Sequence, residues 1–169
     1  VLAMDRDANL LKLKRALPLP PGSYLIAKMI MSLAFAALAV GMVTIAALFA
    51  GKLHLSPGGL LAMDAVLILG AIPFCAIGLF IGARASASAA PAYANLIYLP
   101  GLYLSGMFFP LPKAMQPWAI IWPSFHLNMT AIAAGGMKIP VSPLLTSAVL
   151  VSITVLFGGL AIRRLARTG

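Results

Sequence analysis

An apolar run that proline repeatedly interrupts, between residues 89 and 136, is the feature that most restricts the fold of this chain. Its first part, to residue 109, is long enough to form a membrane-spanning helix. Its second part is also apolar, but it carries several prolines. Backbone groups outside a helix find no hydrogen-bonding partner in lipid, so such a segment is tolerated only beside other helices or around a cavity. The run therefore predicts a membrane protein with a re-entrant segment near residues 110–140.

Three further apolar runs, at 22–50, 59–83 and 143–162, each reach the roughly 20 residues that a transmembrane helix needs. The composition agrees, because 62% of the residues are hydrophobic and only 9% are charged, whereas soluble domains carry about a quarter charged residues. The predicted fold class is all-α, a polytopic transmembrane helical bundle of about four spans plus the re-entrant segment. Residues 1–21 are expected to form a cytoplasmic segment and residues 22–169 the transmembrane domain.

The basic residues predict the orientation, because cytoplasmic flanks of short loops collect Lys and Arg. With four alternating spans, most of the twelve Lys and Arg residues fall on one side, and Lys52, Lys113 and Lys138 fall on the other. We therefore expect a multi-pass protein of the bacterial inner (plasma) membrane, with both termini of this chain cytoplasmic and residues 110–140 at the outer face. Topology and anionic lipid explain the net charge of +9, so no nucleic-acid partner is expected.

Residues that could carry out chemistry are scarce, since the acidic and histidine side chains are Asp5, Asp7, Asp64, His54 and His126. The sequence offers no paired carboxylates, no catalytic triad and no metal-binding motif, so we expect neither catalytic residues nor metal ligands. A membrane-embedded lipid-modifying enzyme is not expected either, because such an enzyme would need clustered acidic or histidine groups and the three aspartates here are scattered. The phosphate-binding loop GxxxxGK[ST] is absent as well, so ATP hydrolysis must take place on another chain.

Asp64 lies about five residues inside the outer end of the second predicted span, and an intramembrane carboxylate is a candidate functional group. Two interpretations remain open. Asp64 anchors the helix at the interface by hydration or by pairing with Lys52, His54 or the proline-broken segment, or it handles protons or substrate.

A polar stripe marks the third predicted span, because Asn95, Tyr98, Leu102 and Ser105 are spaced so that they share one helix face. Unpartnered polar groups are costly in hydrocarbon, so this face should meet another helix or a wet cavity. The stripe is either helix-packing surface or the lining of a transport path, for which Asn95, Tyr98 and Ser105 are the candidate residues.

The proline-broken segment carries two tryptophans four residues apart, Trp118 and Trp122, which predicts one helix face anchored by aromatic rings in an interfacial or re-entrant helix. The candidate residues of this segment are Pro110, Pro117, Trp118, Trp122 and Pro123.

The opening segment is amphipathic, with leucines on one face and basic residues such as Lys12 and Arg15 on another. It is either a helix lying on the membrane surface or a docking element for a cytoplasmic partner.

Two blocks of the sequence, in the right order, resemble the membrane subunit of the type-2 ABC exporter permeases, a family that includes drug, antibiotic and polysaccharide exporters. The first block is DRDANLLKLKRALPLPPGSYLIAKM, residues 5–29, and the second is NLIYLPGLYLSGMFFPLPKAMQPWAIIWPSFHL, residues 95–127. The second block carries the more specific pattern, at Asn95, Pro100, Ser105, Gly106, Phe109, Pro110, Pro117, Trp118, Pro123 and Phe125.

This resemblance implies a transport subunit rather than an enzyme, with no cofactor on this chain and with ATP and Mg bound by a partner. The implied partners are a cytoplasmic ABC ATPase subunit, a second permease copy in a homodimer, and membrane lipids. It also implies an exported substrate that is hydrophobic or amphipathic, of the drug, antibiotic, lipid or polysaccharide class. The first block would contain the helix that couples to the ATPase, with Arg6, Lys12, Lys14 and Arg15 as the contact residues.

Two departures from the family pattern are visible in the sequence. The family's coupling segment usually carries a Glu and a Gly-Thr pair where this chain reads Asp7, Ala8 and Asn9. Family members have six spans, so we expect this chain to lack the first two, either as a fragment or as a truncated relative. The alternative function is a truncated, non-transporting membrane scaffold or an immunity-type protein.

Overall fold

The computed structural model describes residues 3–4, 21–51, 54–109, 111–112 and 114–167. Within these ranges the regular secondary structure is α-helical and contains no strand. In the same ranges three helical stretches are long and apolar enough to cross a membrane: Ser23–Phe49, Pro57–Gly82 and Pro143–Arg164. The predicted class, an all-α helical membrane bundle, is therefore confirmed.

The first helix, α1, runs over Pro21–Phe49 and has 29 residues, a length of about 43 Å at the usual rise. It is longer than the roughly 30 Å hydrocarbon core of a bilayer. The helix ends where Gly51 adopts a left-handed backbone with φ of 63°, and the Gly51 N–H donates to the Leu48 carbonyl at 3.0 Å. A left-handed glycine just past the last turn is the usual stop of an α-helix.

The second candidate span consists of two helices, α2 (Pro57–Leu69) and α3 (Ala71–Gly82), which meet at Gly70. Its start is capped by Ser56, whose hydroxyl accepts a hydrogen bond from the Gly59 N–H at 3.1 Å. The interruption follows from Pro73, which has no N–H to donate to the Leu69 carbonyl and whose ring crowds that carbonyl. The break lies midway along the 26-residue span.

The third predicted span, residues 89–109, forms a shorter helix than expected. Helix α4 covers Ala90–Leu104, 15 residues, or about 22 Å, too short to cross the hydrocarbon core by itself. It ends because Gly106, directly after Ser105, takes a left-handed backbone with φ of 71°. The residues beyond Gly106 are apolar, so the prediction included them in the span, but in the structure they are not part of the helix.

Three helices follow: α5 (Gln116–Ala119), α6 (Pro123–Ala134) and α7 (Pro143–Arg167), each with a proline in its first turn. The prediction that Trp118 and Trp122 share one helix face was wrong. Trp118 lies in α5, whereas Trp122 is extended, with φ of −93° and ψ of 131°, at the start of α6. The physical reason is Pro123, because a residue before proline is forced out of the helical region.

The packing places α6 inside the bundle. Helix α3 packs along α7, with the rings of Phe80 and Phe157 edge to face at 5.2 Å. One buried cluster, made of Leu25, Leu79, Ala83 and Ala161, joins α1, α3 and α7. Helix α6 contacts α2, α7 and α4, so it is surrounded by longer helices.

Candidate functional site

Helix α6 runs antiparallel to α2 and in close contact with it. A Cβ atom added at Gly70 would overlap the Leu127 side chain, and one added at Gly59 would lie 3.1 Å from the Gly135 carbonyl oxygen. Helix α6 therefore starts beside the middle of the second span and continues to the end of that span near Pro57. The two glycines permit this close approach because they have no side chain.

The end of α4 meets the beginning of α6. The Ser124 hydroxyl donates to the Gly101 carbonyl, and the Asn128 amide donates to the Ser105 carbonyl at 2.9 Å. The last carbonyls of a helix lack the N–H donors that a further turn would supply. The Ser124 and Asn128 side chains provide such donors at the end of α4. Gly101 is itself buried, and a Cβ atom on it would lie 3.1 Å from the Ser124 hydroxyl oxygen.

Three interruptions of helical structure thus lie at one level: the break between α2 and α3, the C-terminus of α4 and the N-terminus of α6. We call this region the midspan junction, made of Gly70, Gly101, Ser105, Ser124, Leu127 and Asn128. Since the break at Gly70 is midway along a candidate span, the junction brings polar backbone groups to the middle of the bundle. Discontinuous helices near the middle of the bilayer form binding sites in many secondary transporters.

A second polar face of α6 carries His126 and Thr130. The His126 side chain is 1% exposed, and its Nε2 atom lies 2.7 Å from the Ile120 carbonyl oxygen. A carbonyl can only accept, so Nε2 carries the proton, and the buried Nδ1 atom has no hydrogen-bond partner among the described residues. The Thr130 hydroxyl oxygen lies 2.9 Å from that of Thr146, which ties α6 to α7.

The candidate path residues lie in different surroundings. The Tyr98 side chain is 58% exposed and Asn95 is also exposed, within a stretch of α4, residues 91–99, that is exposed throughout. Ser105 is 5% exposed, and its hydroxyl donates to the Leu102 carbonyl at 2.7 Å. The structure therefore places Ser105 in the midspan junction and leaves Asn95 and Tyr98 outside it. A role for these three residues in a substrate path stays a prediction.

The candidate residues of the proline-broken segment are likewise divided. Pro117 and Trp118 are exposed on α5, while Trp122 and Pro123 are half-buried where α6 begins. Pro110 lies outside the described residues, as do the four basic residues predicted to contact an ATPase, Arg6, Lys12, Lys14 and Arg15.

Asp64 has a partner that the sequence did not suggest. Both of its carboxylate oxygens lie 3.0 Å from the hydroxyl of Thr44, which donates from α1. Lys52 is outside the described residues, and in the described part of the chain Asp64 bonds Thr44 rather than His54 or the proline-broken segment. The carboxylate therefore links α1 to α2.

Sequence reasoning missed the polar residues of α6. A signal for Ser124 and Asn128 was available, because they are four residues apart after a proline that starts a helix and so share one face. Thr146 gave no signal, since it is one of several hydroxyl residues in an otherwise apolar helix, and its partner, Thr130, comes from another helix.

The midspan junction consists of hydrogen-bonding groups at the ends of helices. Across the described ranges no three His, Cys, Asp or Glu side chains lie together as metal ligands would. The junction instead holds hydroxyl, amide and carbonyl groups in contacts between short helical ends, which can rearrange by exchanging a few hydrogen bonds.

The sequence was compared with protein-family models and with curated proteins, and a match was found in each comparison. The family model described as "ABC-2 type transporter" matches residues 1–139, which include α1 to α6. A Bacillus subtilis (strain 168) protein named "Putative transport permease YvfS" is 26% identical over 133 residues, which cover 77% of this chain and 54% of that protein. The chain thus spans about half the length of this curated relative.

Proposed function

Because the chain belongs to the ABC-2 type transporter family, we propose that it is the membrane-spanning permease subunit of an ATP-driven exporter. The family match over residues 1–139 is the observation that carries this proposal, since it includes both the predicted coupling segment and the midspan junction. The proposed substrate is hydrophobic or amphipathic, of the drug, antibiotic, lipid or polysaccharide class.

ATP would be hydrolysed by a separate cytoplasmic ABC ATPase, which binds ATP with Mg. The sequence of this chain has no phosphate-binding loop and few acidic residues that could hold Mg. The proposed assembly contains two permease copies and two ATPase copies, embedded in the lipids of a bacterial inner membrane. In this arrangement both termini of the chain are cytoplasmic and the segment near 110–140 enters the membrane from the outer face.

Coupling would proceed through residues 1–21. Their basic side chains Arg6, Lys12, Lys14 and Arg15 would contact the ATPase, and movement of the segment would pass to α1, which begins at Pro21. Nucleotide binding on the partner then shifts the population of permease conformations, because the two conformations hold the ATPases at different separations.

The midspan junction is the proposed place where the permease changes shape. Rigid continuous helices would resist bending, whereas α2, α4 and α6 all have an end at this level. Two side-chain hydrogen bonds to backbone carbonyls, from Ser124 and Asn128, connect α4 to α6. The exposed part of α4 that carries Asn95 and Tyr98 would line the substrate path, with Ser105 at the end of the path near the midspan junction.

The test of coupling uses the double variant Arg6→Ala with Arg15→Ala. We expect it to lower both the amount of ATPase retained on the purified permease and the ATP-dependent export of substrate. The matched control is Arg163→Ala, an exposed basic residue in the last helix, which should leave both unchanged. Unchanged export in the double variant would rule out the proposed coupling segment.

The test of the path replaces Asn95 with Ala and Tyr98 with Phe in one protein, which removes both polar groups. We expect reduced transport from a protein that still assembles. If neither transport nor assembly changes, Asn95 and Tyr98 do not line the path.

A further inference from the structure

A groove lies between the end of α3, the turn at residues 83–89 and the first half of α4. Its volume is about 490 Å³, within the range of roughly 300–1,000 Å³ that is common for small-molecule sites. Its walls are largely apolar and aromatic, with Phe80, Tyr93, Leu96 and Ile97 among the lining residues, and Arg84 is the cation that lines it.

The Arg84 side chain is held in a defined position. Its guanidinium carbon lies 4.4 Å from the centroid of the Phe80 ring, a distance at which the two groups attract each other. A guanidinium group in contact with a ring keeps its N–H donors, and their planar fork matches the oxygens of a phosphate.

The charge of the groove is positive. Its lining contains no carboxylate within the described part of the chain, where Asp64 is bonded to Thr44 between α1 and α2. The Ser86 hydroxyl, which lies 3.2 Å from that of Ser88, adds a further polar group to the lining.

The groove lies at the end of a candidate membrane span, where lipid headgroups are expected. The candidate span Pro57–Gly82 ends just before Arg84, so in a membrane that this span crosses the guanidinium group would lie near the lipid headgroups. Leu96 and Ile97 lie further along α4 and would contact acyl chains. Arginine beside apolar surface at the end of a span is well suited to an anionic lipid.

We propose that this groove binds an anionic glycerophospholipid of the adjacent leaflet, with its phosphate on Arg84 and its first acyl carbons against Tyr93, Leu96 and Ile97. The proposal needs only a membrane-embedded chain and does not depend on the exporter function. A site of this kind would fix the end of α3 to the start of α4.

Photo-crosslinking tests the proposal. The protein is purified as its native assembly and placed in vesicles of phosphatidylcholine with a trace of a phospholipid that carries a diazirine near the glycerol. The headgroup of the probe is phosphatidylglycerol in one arm and phosphatidylcholine in the other, and crosslinked peptides are mapped by mass spectrometry. We expect the phosphatidylglycerol probe to label peptides within 80–97 several-fold more than the phosphatidylcholine probe.

Four variants make the test specific. Arg84→Gln should reduce the phosphatidylglycerol labelling at least about tenfold, since a hydrogen bond to a charged group is lost, while Arg84→Lys should keep part of it. The control Arg163→Gln removes an exposed charge elsewhere and should have no effect. Ala89→Phe fills the groove and should lower labelling in a protein that elutes normally on gel filtration. Equal labelling by both probes, or full labelling of Arg84→Gln or Ala89→Phe, would overturn the proposal.

Discussion

Gly106 is the residue that determines the length of α4. Its left-handed backbone, with φ of 71°, strains any residue that has a Cβ atom, and a Cβ atom there would lie 3.2 Å from a methyl carbon of Leu111. We expect Gly106→Ala to lower the free energy of unfolding by about 1 kcal/mol or more. Thermal unfolding in mild detergent, followed by circular dichroism, measures this change.

The matched control for Gly106 is Gly78, a glycine within α3 around which a Cβ atom would meet nothing within 4 Å. Alanine is favoured over glycine in a helix, so Gly78→Ala should not lower stability. Equal stability of the two variants would contradict the assigned role of Gly106.

Asn128 connects α6 to α4 through its amide, 2.9 Å from the Ser105 carbonyl oxygen. Asn128→Leu removes the donor, and we expect it to destabilise the protein by about 0.6 to 1.7 kcal/mol, the range for hydrogen bonds between membrane helices. The same unfolding measurement applies. Ser152→Ala is the control, because the Ser152 hydroxyl donates to a carbonyl of its own helix, that of Ala148; a loss no larger than in this control would mean that the Asn128 bond is not stabilising.

For the helices, the sequence carried signals for where each helix ends but not for which helices pack against each other. Pro73 and Gly106 could have predicted the break in the second span and the short α4, because both act on their own backbone. The position of α6 could not be predicted in this way. It depends on Leu127 meeting Gly70, two residues far apart in sequence whose contact no local pattern encodes.

That contact can be measured with a double-mutant cycle on Gly70 and Leu127. Gly70→Ala alone should cost about 1–3 kcal/mol of stability, since the new Cβ atom overlaps the Leu127 side chain. In a Leu127→Ala background the same substitution should cost much less, because the obstructing side chain is gone. Additive effects of the two substitutions would mean that α6 does not pack on α2 at this point.

For the molecule as a whole, composition and apolar run length were sufficient to predict a helical membrane bundle, because hydrophobic surface of this extent has no place in a soluble fold. The substrate could not be predicted. The side chains of Ser105, Ser124 and Asn128 donate hydrogen bonds to backbone carbonyls of the chain itself. Hydroxyl and amide groups of this kind are compatible with many hydrophobic or amphipathic substrates. The orientation stays a prediction from the distribution of Lys and Arg.

Orientation is testable with an impermeant maleimide on intact cells. In a Cys75→Ala background, cysteine is introduced by Ser86→Cys or by Ser142→Cys, both at exposed positions outside the helices. We expect labelling of the Ser142→Cys protein in intact cells, and labelling of the Ser86→Cys protein only after the membrane is permeabilised. The reverse pattern would place both termini of this chain outside the cytoplasm.

The proposed transport function depends on an ATPase partner, so the decisive measurement is purification of the wild-type protein from its own membranes in mild detergent, followed by mass spectrometry of the intact complex. We predict that a protein with the phosphate-binding loop GxxxxGK[ST] co-purifies in a one-to-one ratio with the permease. Recovery of the permease without any ATPase, under conditions that preserve its own assembly, would contradict the exporter and favour a membrane protein that does not transport.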